Sequence, residues 1–212
     1  MASKREPSPS MRMRKIALVI CEGETEERYI NLLKKWYKSP IRIVSHIEGT
    51  KITQSLVDNR TRELKLSKYD KVHTFLMYDM DVPSINEKLL ACKAEMLLSN
   101  PCFEIWILLH AKDQKSAIST DALIKELKKS ATVWRSYSKT NFTDTQEAFL
   151  KSNIDTATAR AKNLKELQNP STGVYKLIEL LKKDESKCQG TKCQGTGSKC
   201  QGTGSKCQGS GS

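Results

Sequence analysis

"KIALVICEGETEERYINLLKKWYKSP", residues 15 to 40, changes character twice in twenty-six positions. The first part, "KIALVIC" (15–21), is a short apolar run rich in β-branched residues. It has charge on one side and Glu-Gly on the other, as a buried strand would. The second part, "TEERYINLLKKWYKS" (25–39), repeats Ile30, Leu33 and then Trp36 with Tyr37 at helical spacing, and Pro40 stops it. A buried strand feeding an amphipathic helix opens a βαβ unit. At the junction, Glu22, Glu24, Glu26 and Glu27 place four carboxylates in six residues, in a chain of formal net charge +12.

The same alternation continues outward. "IRIVSHI" (41–47) reads as a second strand, residues 51–66 as a helix, and "KVHTFLMYDMD" (71–81) as a third strand ending in acid. "SINEKLLACKA" reads as a short helix with Ser84 as its N-cap, and "AEMLLSN" as a fourth strand. Strands alternating with helices predict an α/β fold, a mostly parallel sheet with helices on both faces. After residue 100 the pattern becomes helical: "PCFEIWILLHA", "TDALIKELKKS", a long segment 144–168, and "GVYKLIELLKK". Asn100-Pro101 reads as a turn, with the proline at the first helical position. The prediction is an α/β core followed by a helical C-terminal part, over residues 14–183.

The 212 residues suffice for one ordinary domain and its tails. No apolar run approaches the roughly 18 residues of a spanning helix, so no membrane role is expected. Residues 1–13 read as a flexible basic arm. "IALVI" is too short for the apolar region of a signal peptide, and a cytoplasmic location follows by default. Cys21, Cys92 and Cys102 sit among apolar residues, as small buried thiols do, and no Cys-x-x-Cys pair offers zinc spacing. From residue 187 a KCQGTGS unit repeats, with no large hydrophobe. Its composition predicts a disordered tail over 184–212; metal capture or crosslinking by its spaced thiols is the other reading. The 36 Lys and Arg against 24 acids, with a pI near 9.4, favour a polyanionic partner.

In an open parallel sheet, ligands sit beyond the carboxyl ends of the strands. Glu22 follows the first strand, and Asp79 and Asp81 follow the third. If the two strands are neighbours, the acids converge. Asp79 and Asp81 are two apart and share a side of an extended segment. Glu22 and Glu26 are four apart and share a face if a helix starts near residue 23. Clustered carboxylates raise one another's pKa and call for something positive between them. Oxygen-only ligation suits Mg²⁺ or Mn²⁺, while the surrounding lysines and arginines would hold DNA or RNA.

Together, "VICEGETEERYI" and "FLMYDMDVP" resemble the TOPRIM pattern of a glutamate after one strand and Asp-x-Asp after a later one. The Glu-Gly-x-Thr-Glu form looks like its nuclease branch, which includes the OLD-family nucleases. "SNPCFEIWILLH" (99–110) and "NPSTGVYKLIELL" (169–181) resemble the RloB family of bacterial restriction and phage-defence loci. The resemblance covers about residues 14 to 183. It implies a Rossmann-like TOPRIM core and a metal-dependent nuclease, with an ATPase partner from the same locus. Glu22 would be a metal ligand or general acid/base, Glu26 a second ligand, and Asp79 and Asp81 metal anchors. Glu104 would add a further acid. Self-association into a homo-oligomer is left open.

Several of these residues also have a plainer explanation, though Glu22, directly after an apolar strand, does not. Acids in a first helical turn are favoured by the helix dipole, which suffices for Glu24 and Glu27 and competes evenly for Glu26. Glu104 in its apolar run can equally pair with a basic side chain. His110 reads as a cap or packed residue, and His46 and His73 as structural. Lys35, Arg60, Arg62 and Lys139 are candidate phosphate contacts. Trp134 and Tyr137 read as core before base-stacking groups. The rival class to a nuclease is a non-catalytic nucleic-acid-binding or adaptor subunit; a primase- or topoisomerase-type TOPRIM enzyme ranks last.

Overall fold

The computed structural model describes residues 14–139 and 141–192, with 185–192 as backbone alone. The expected basic arm, and the tail beyond Lys192, lie outside the described residues. Strand β1 (Lys15–Cys21) is followed by helix α1 (Glu24–Trp36), β2 (Ile41–Ile47), α2 (Gln54–Glu63), β3 (Lys71–Met77), α3 (Pro83–Leu90) and the short β4 (Glu95–Met96). These four strands form one parallel sheet in the order β2-β1-β3-β4. β1 is thus the pivot: the chain leaves it for β2 on one side and returns to β3 on the other. The carboxyl ends of β1 and β3 form the topological switch point, where such sheets bind ligands.

The alternation of side chains along β1 divides the core in two. Ala17, Val19 and Cys21 face a large cluster containing Tyr29, Ile30 and Leu33 of α1. Leu18 and Ile20 face the opposite way, onto Ile52, Val57 and Leu89 beneath α2 and α3. All of β1 from Ile16 to Cys21 is fully buried, which is why it reads as a continuous apolar run rather than an alternating one.

The C-terminal part is built around α4 (Glu104–Ala111). Residues 104 to 110 are all buried, the signature of a helix covered on every side. Helices α5 (Thr120–Ser130) and α6 (Asp144–Lys162) pack on it and α7 (Tyr175–Lys192) packs on α6, and their Leu123, Leu127, Leu150, Leu177 and Leu181 join the α1-side core. A 3₁₀ turn, Thr132–Trp134, leads into the loop before α6. That helix opens with a full capping box between Thr143 and Gln146. Among the described residues no helix is long and apolar enough to cross a membrane.

Several boundaries differ from the sequence expectation. The third strand stops at Met77 instead of 81. The expected fourth strand is two short ones: β4 joins the sheet, while β5 (Ser99–Asn100) pairs antiparallel with β6 (Ser171–Thr172). Val82, not Ser84, precedes α3, with Pro83 in the first turn. Pro101 lies outside α4, in a cis peptide with Asn100. The α7 backbone continues to Lys192, past residue 184, where a tail was expected to begin.

Candidate functional site

β1 and β3 pair in parallel with Cys21 opposite Met77, so the residues that follow them are neighbours. The Glu22 N–H donates to the Met77 carbonyl (3.0 Å). In return, the Asp79 N–H donates to Glu22 Oε2 (3.0 Å). Asp79 pairs in turn with Ser99 on its other side, and the Met80 N–H donates to the Ser99 carbonyl (2.9 Å). Asp79 is therefore fixed from both flanks.

Two helix starts close on the same place. At α1, the Glu26 carboxylate lies over the first turn, near the N–H groups of Gly23 and of Glu26 itself. A methyl group on Gly23 would stand 3.3 Å from Glu26 Oε2. At α4, the Phe103 N–H donates to Asp79 Oδ1 (2.7 Å), and Glu104 follows it directly. Glu104 is 1% exposed and Glu26 7%.

Burial first, and then the charges of Glu26, Glu22 and Glu104, push the Asp79 carboxyl up to about 8; the Phe103 N–H only partly offsets them. Burial also raises Glu26, with Glu22 and Glu104 adding to it. Glu26 and Asp79 thus feel the charges of Glu22 and Glu104. Asp81 does not join them: the chain bends after Asp79, leaving Asp81 exposed ahead of α3. The two-residue spacing that put both aspartates on one side requires an extended backbone, and the strand has already ended.

A second set of residues completes the site from far along the chain. Tyr137 donates its hydroxyl to Glu104 Oε1 (3.2 Å), and the Lys139 ammonium pairs with the same oxygen at 3.2 Å. Thr25, in the first turn of α1, donates to the Lys139 carbonyl (2.9 Å). Burial lowers the Lys139 pKa, but the Glu104 charge, its hydrogen bond and the nearby Cys102 and Asp79 together outweigh it, and the net direction is up. Sequence reasoning named Lys139 only among several basic candidates. Nothing in the spacing connects residue 139 to residue 104.

Among the described residues, no three His, Cys, Asp or Glu side chains stand close enough to share one metal ion as placed. The donor chemistry still fits a hard cation: every candidate ligand is oxygen, and Asp79 carries repulsion that positive charge would relieve. Glu104 Oε2 is buried without a hydrogen-bond partner.

Other candidates are packed in the core or paired within the fold. His110 is buried edge-on to Trp106, with Nδ1 against the Trp106 carbonyl (2.9 Å). Trp134 and Tyr137 are buried in the core. Lys35 pairs with Glu147, and Arg60 with Glu48 and Glu63.

A family model described as RloB-like protein matches residues 17–181. The chain belongs to the RloB-like family. The matched span of this RloB-like protein starts inside β1 and ends inside α7, so the family unit takes in the sheet, the carboxylate site and the helices around α4. No curated protein and no solved structure matches it significantly.

Proposed function

We propose that this RloB-like protein is a metal-dependent nuclease that hydrolyses phosphodiester bonds of DNA or RNA in anti-phage defence. The supporting observation is the grouping of Glu22, Glu26, Asp79 and Glu104 at the β1/β3 switch point, where burial and the neighbouring charges raise the pKa of Glu26 and Asp79, in a chain of net charge +12. Buried acids that destabilise one another are costly to keep and mark a site where positive charge or protons are handled. The order of acids after β1 and β3 resembles the TOPRIM arrangement.

Glu22, Glu26 and Asp79 would hold Mg²⁺ or Mn²⁺. Such an ion, when bound, polarises a phosphodiester and makes water a better nucleophile. Glu22, held in place by the Asp79 N–H, is positioned to move a proton at the attacking water. The backbone N–H groups of Asp79 and of Phe103, at the start of α4, hold Glu22 and Asp79 in place against mutual repulsion. An ATPase encoded nearby would gate access.

The test incubates the purified protein, alone and with that ATPase, with plasmid DNA and bulk transfer RNA. Mg²⁺ or Mn²⁺ is supplied or chelated, and Glu22→Gln, Asp79→Asn and Asp81→Asn are run alongside. Metal-dependent cleavage, lost in the first two variants and reduced less in the third, supports the reading. A second reading is favoured because, among the described residues, no three acids stand close enough to share one metal ion: a nucleic-acid-binding adaptor without catalysis. Binding that persists in chelator and in both variants, with no cleavage, would select it.

A further inference from the structure

The acids of the site are held in two different ways. Glu22 and Asp79 accept from backbone N–H groups, which carry only partial charge. Glu104 holds a full cation. Its Oε1 accepts from Tyr137 and pairs with Lys139, while its Oε2 is buried and makes no hydrogen bond. The two partners differ in freedom: the Glu104 side chain is 1% exposed and that of Lys139 55%. The ammonium can swing into solvent, and the carboxylate cannot. The Lys139 main chain stays tied to α1 through Thr25, so the ammonium moves from a fixed anchor point.

We propose that Lys139 is a built-in counter-cation of the carboxylate site, positioned by Glu104 and Tyr137, and that it opposes binding of a divalent ion. Glu104 is then the anchor of Lys139 and not a metal ligand. The inference rests on the metal reading of the site given above. Its physical basis is direct. An ammonium held against one acid of the group neutralises part of the negative charge that draws a cation in, and it repels the cation itself. A site with such a lysine fills only when divalent ion is abundant, or when a bound polyanion draws the lysine away.

The experiment titrates Mn²⁺ into the full-length chain without nucleic acid, following free Mn²⁺ by electron paramagnetic resonance. Lys139→Met is expected to lower the Kd by about tenfold, the effect of removing one unit charge close to a divalent ion. Lys139→Arg keeps the charge and is expected to match the wild type. The double variant Glu104→Gln/Lys139→Met has the wild-type net charge and leaves no unpaired buried carboxylate at 104. It is also expected to match the wild type, whereas a ligand role for Glu104 predicts a loss of affinity. An unchanged or raised Kd in Lys139→Met, with the wild type binding, overturns the counter-cation role and leaves the metal reading intact. A weakened double variant overturns the anchor role. Absence of Mn²⁺ binding in all four proteins overturns the metal reading and this inference with it.

Discussion

Replacing Asp79 with asparagine should make the protein more stable, and increasingly so as the pH rises. The Asp79 carboxyl is moved from its ordinary 3.8 to about 8 in the folded chain. Between these values the unfolded chain has released the proton and the folded chain retains it. Folding stability therefore falls as pH rises from about 4 to 8, and the loss is complete above the folded value. At about 1.36 kcal/mol per pKa unit the full separation is worth roughly 6 kcal/mol. Part of the repulsion is shared with Glu26, which is also raised, so about half, ~3 kcal/mol, is assigned to Asp79 alone. Asparagine keeps an oxygen for the Phe103 N–H, whose bond to Asp79 Oδ1 is 2.7 Å, and carries no charge. In chelator, thermal unfolding of Asp79→Asn should match the wild type near pH 4 and exceed it by roughly 6–12 °C at pH 9. Saturating Mg²⁺ should narrow the gap at pH 9 by stabilising the wild type. Equal Tm values at pH 9, or a gap that does not change with pH, would refute the carboxylate coupling.

Burial pulls the His110 imidazole down to about 4. Its neutral form is favoured by folding, so stability is intact above about 6.5 and is lost as pH falls towards 4, by up to about 3 kcal/mol; His110→Leu should flatten that acid limb in urea titrations at pH 4 to 7. A Cβ on Gly173 would stand 2.8 Å from the Met96 carbonyl oxygen and 3.1 Å from Leu97 Cα, backbone that cannot turn aside. Gly173→Ala should cost about 1–3 kcal/mol by overpacking, measured as a lower urea midpoint at unchanged slope. Thr143 holds the Gln146 N–H at the start of α6; Thr143→Ala should cost about 1 kcal/mol, and Thr143→Ser much less, in the same assay.

The parts of this protein that local chemistry decides are legible in the chain itself. The apolar run 15–21 and the helical period after it identify β1 and α1, because burial on both faces demands continuous hydrophobes and burial on one face demands a stripe. The apolar run 105–109 announces a covered helix for the same reason. Glu22 and Asp79 stand out because each directly follows an apolar strand, where a lone carboxylate needs a reason to be. What lies far apart in sequence required the tertiary structure. Strand order places β1 beside β3, and only that pairing turns two separate acids into neighbours, so that the Glu22 charge helps to raise the Asp79 pKa. The early end of β3 at Met77 removes Asp81 from the group: a two-residue spacing has meaning only while the backbone stays extended, and the pairing of Asp79 with Ser99 is followed at once by a bend. The Glu104–Tyr137–Lys139 contact is likewise absent from any local pattern. It exists because the fold carries the loop before α6 across the first turns of α1 and α4, and the desolvation of Glu104 there makes a cation from thirty-five residues away its partner.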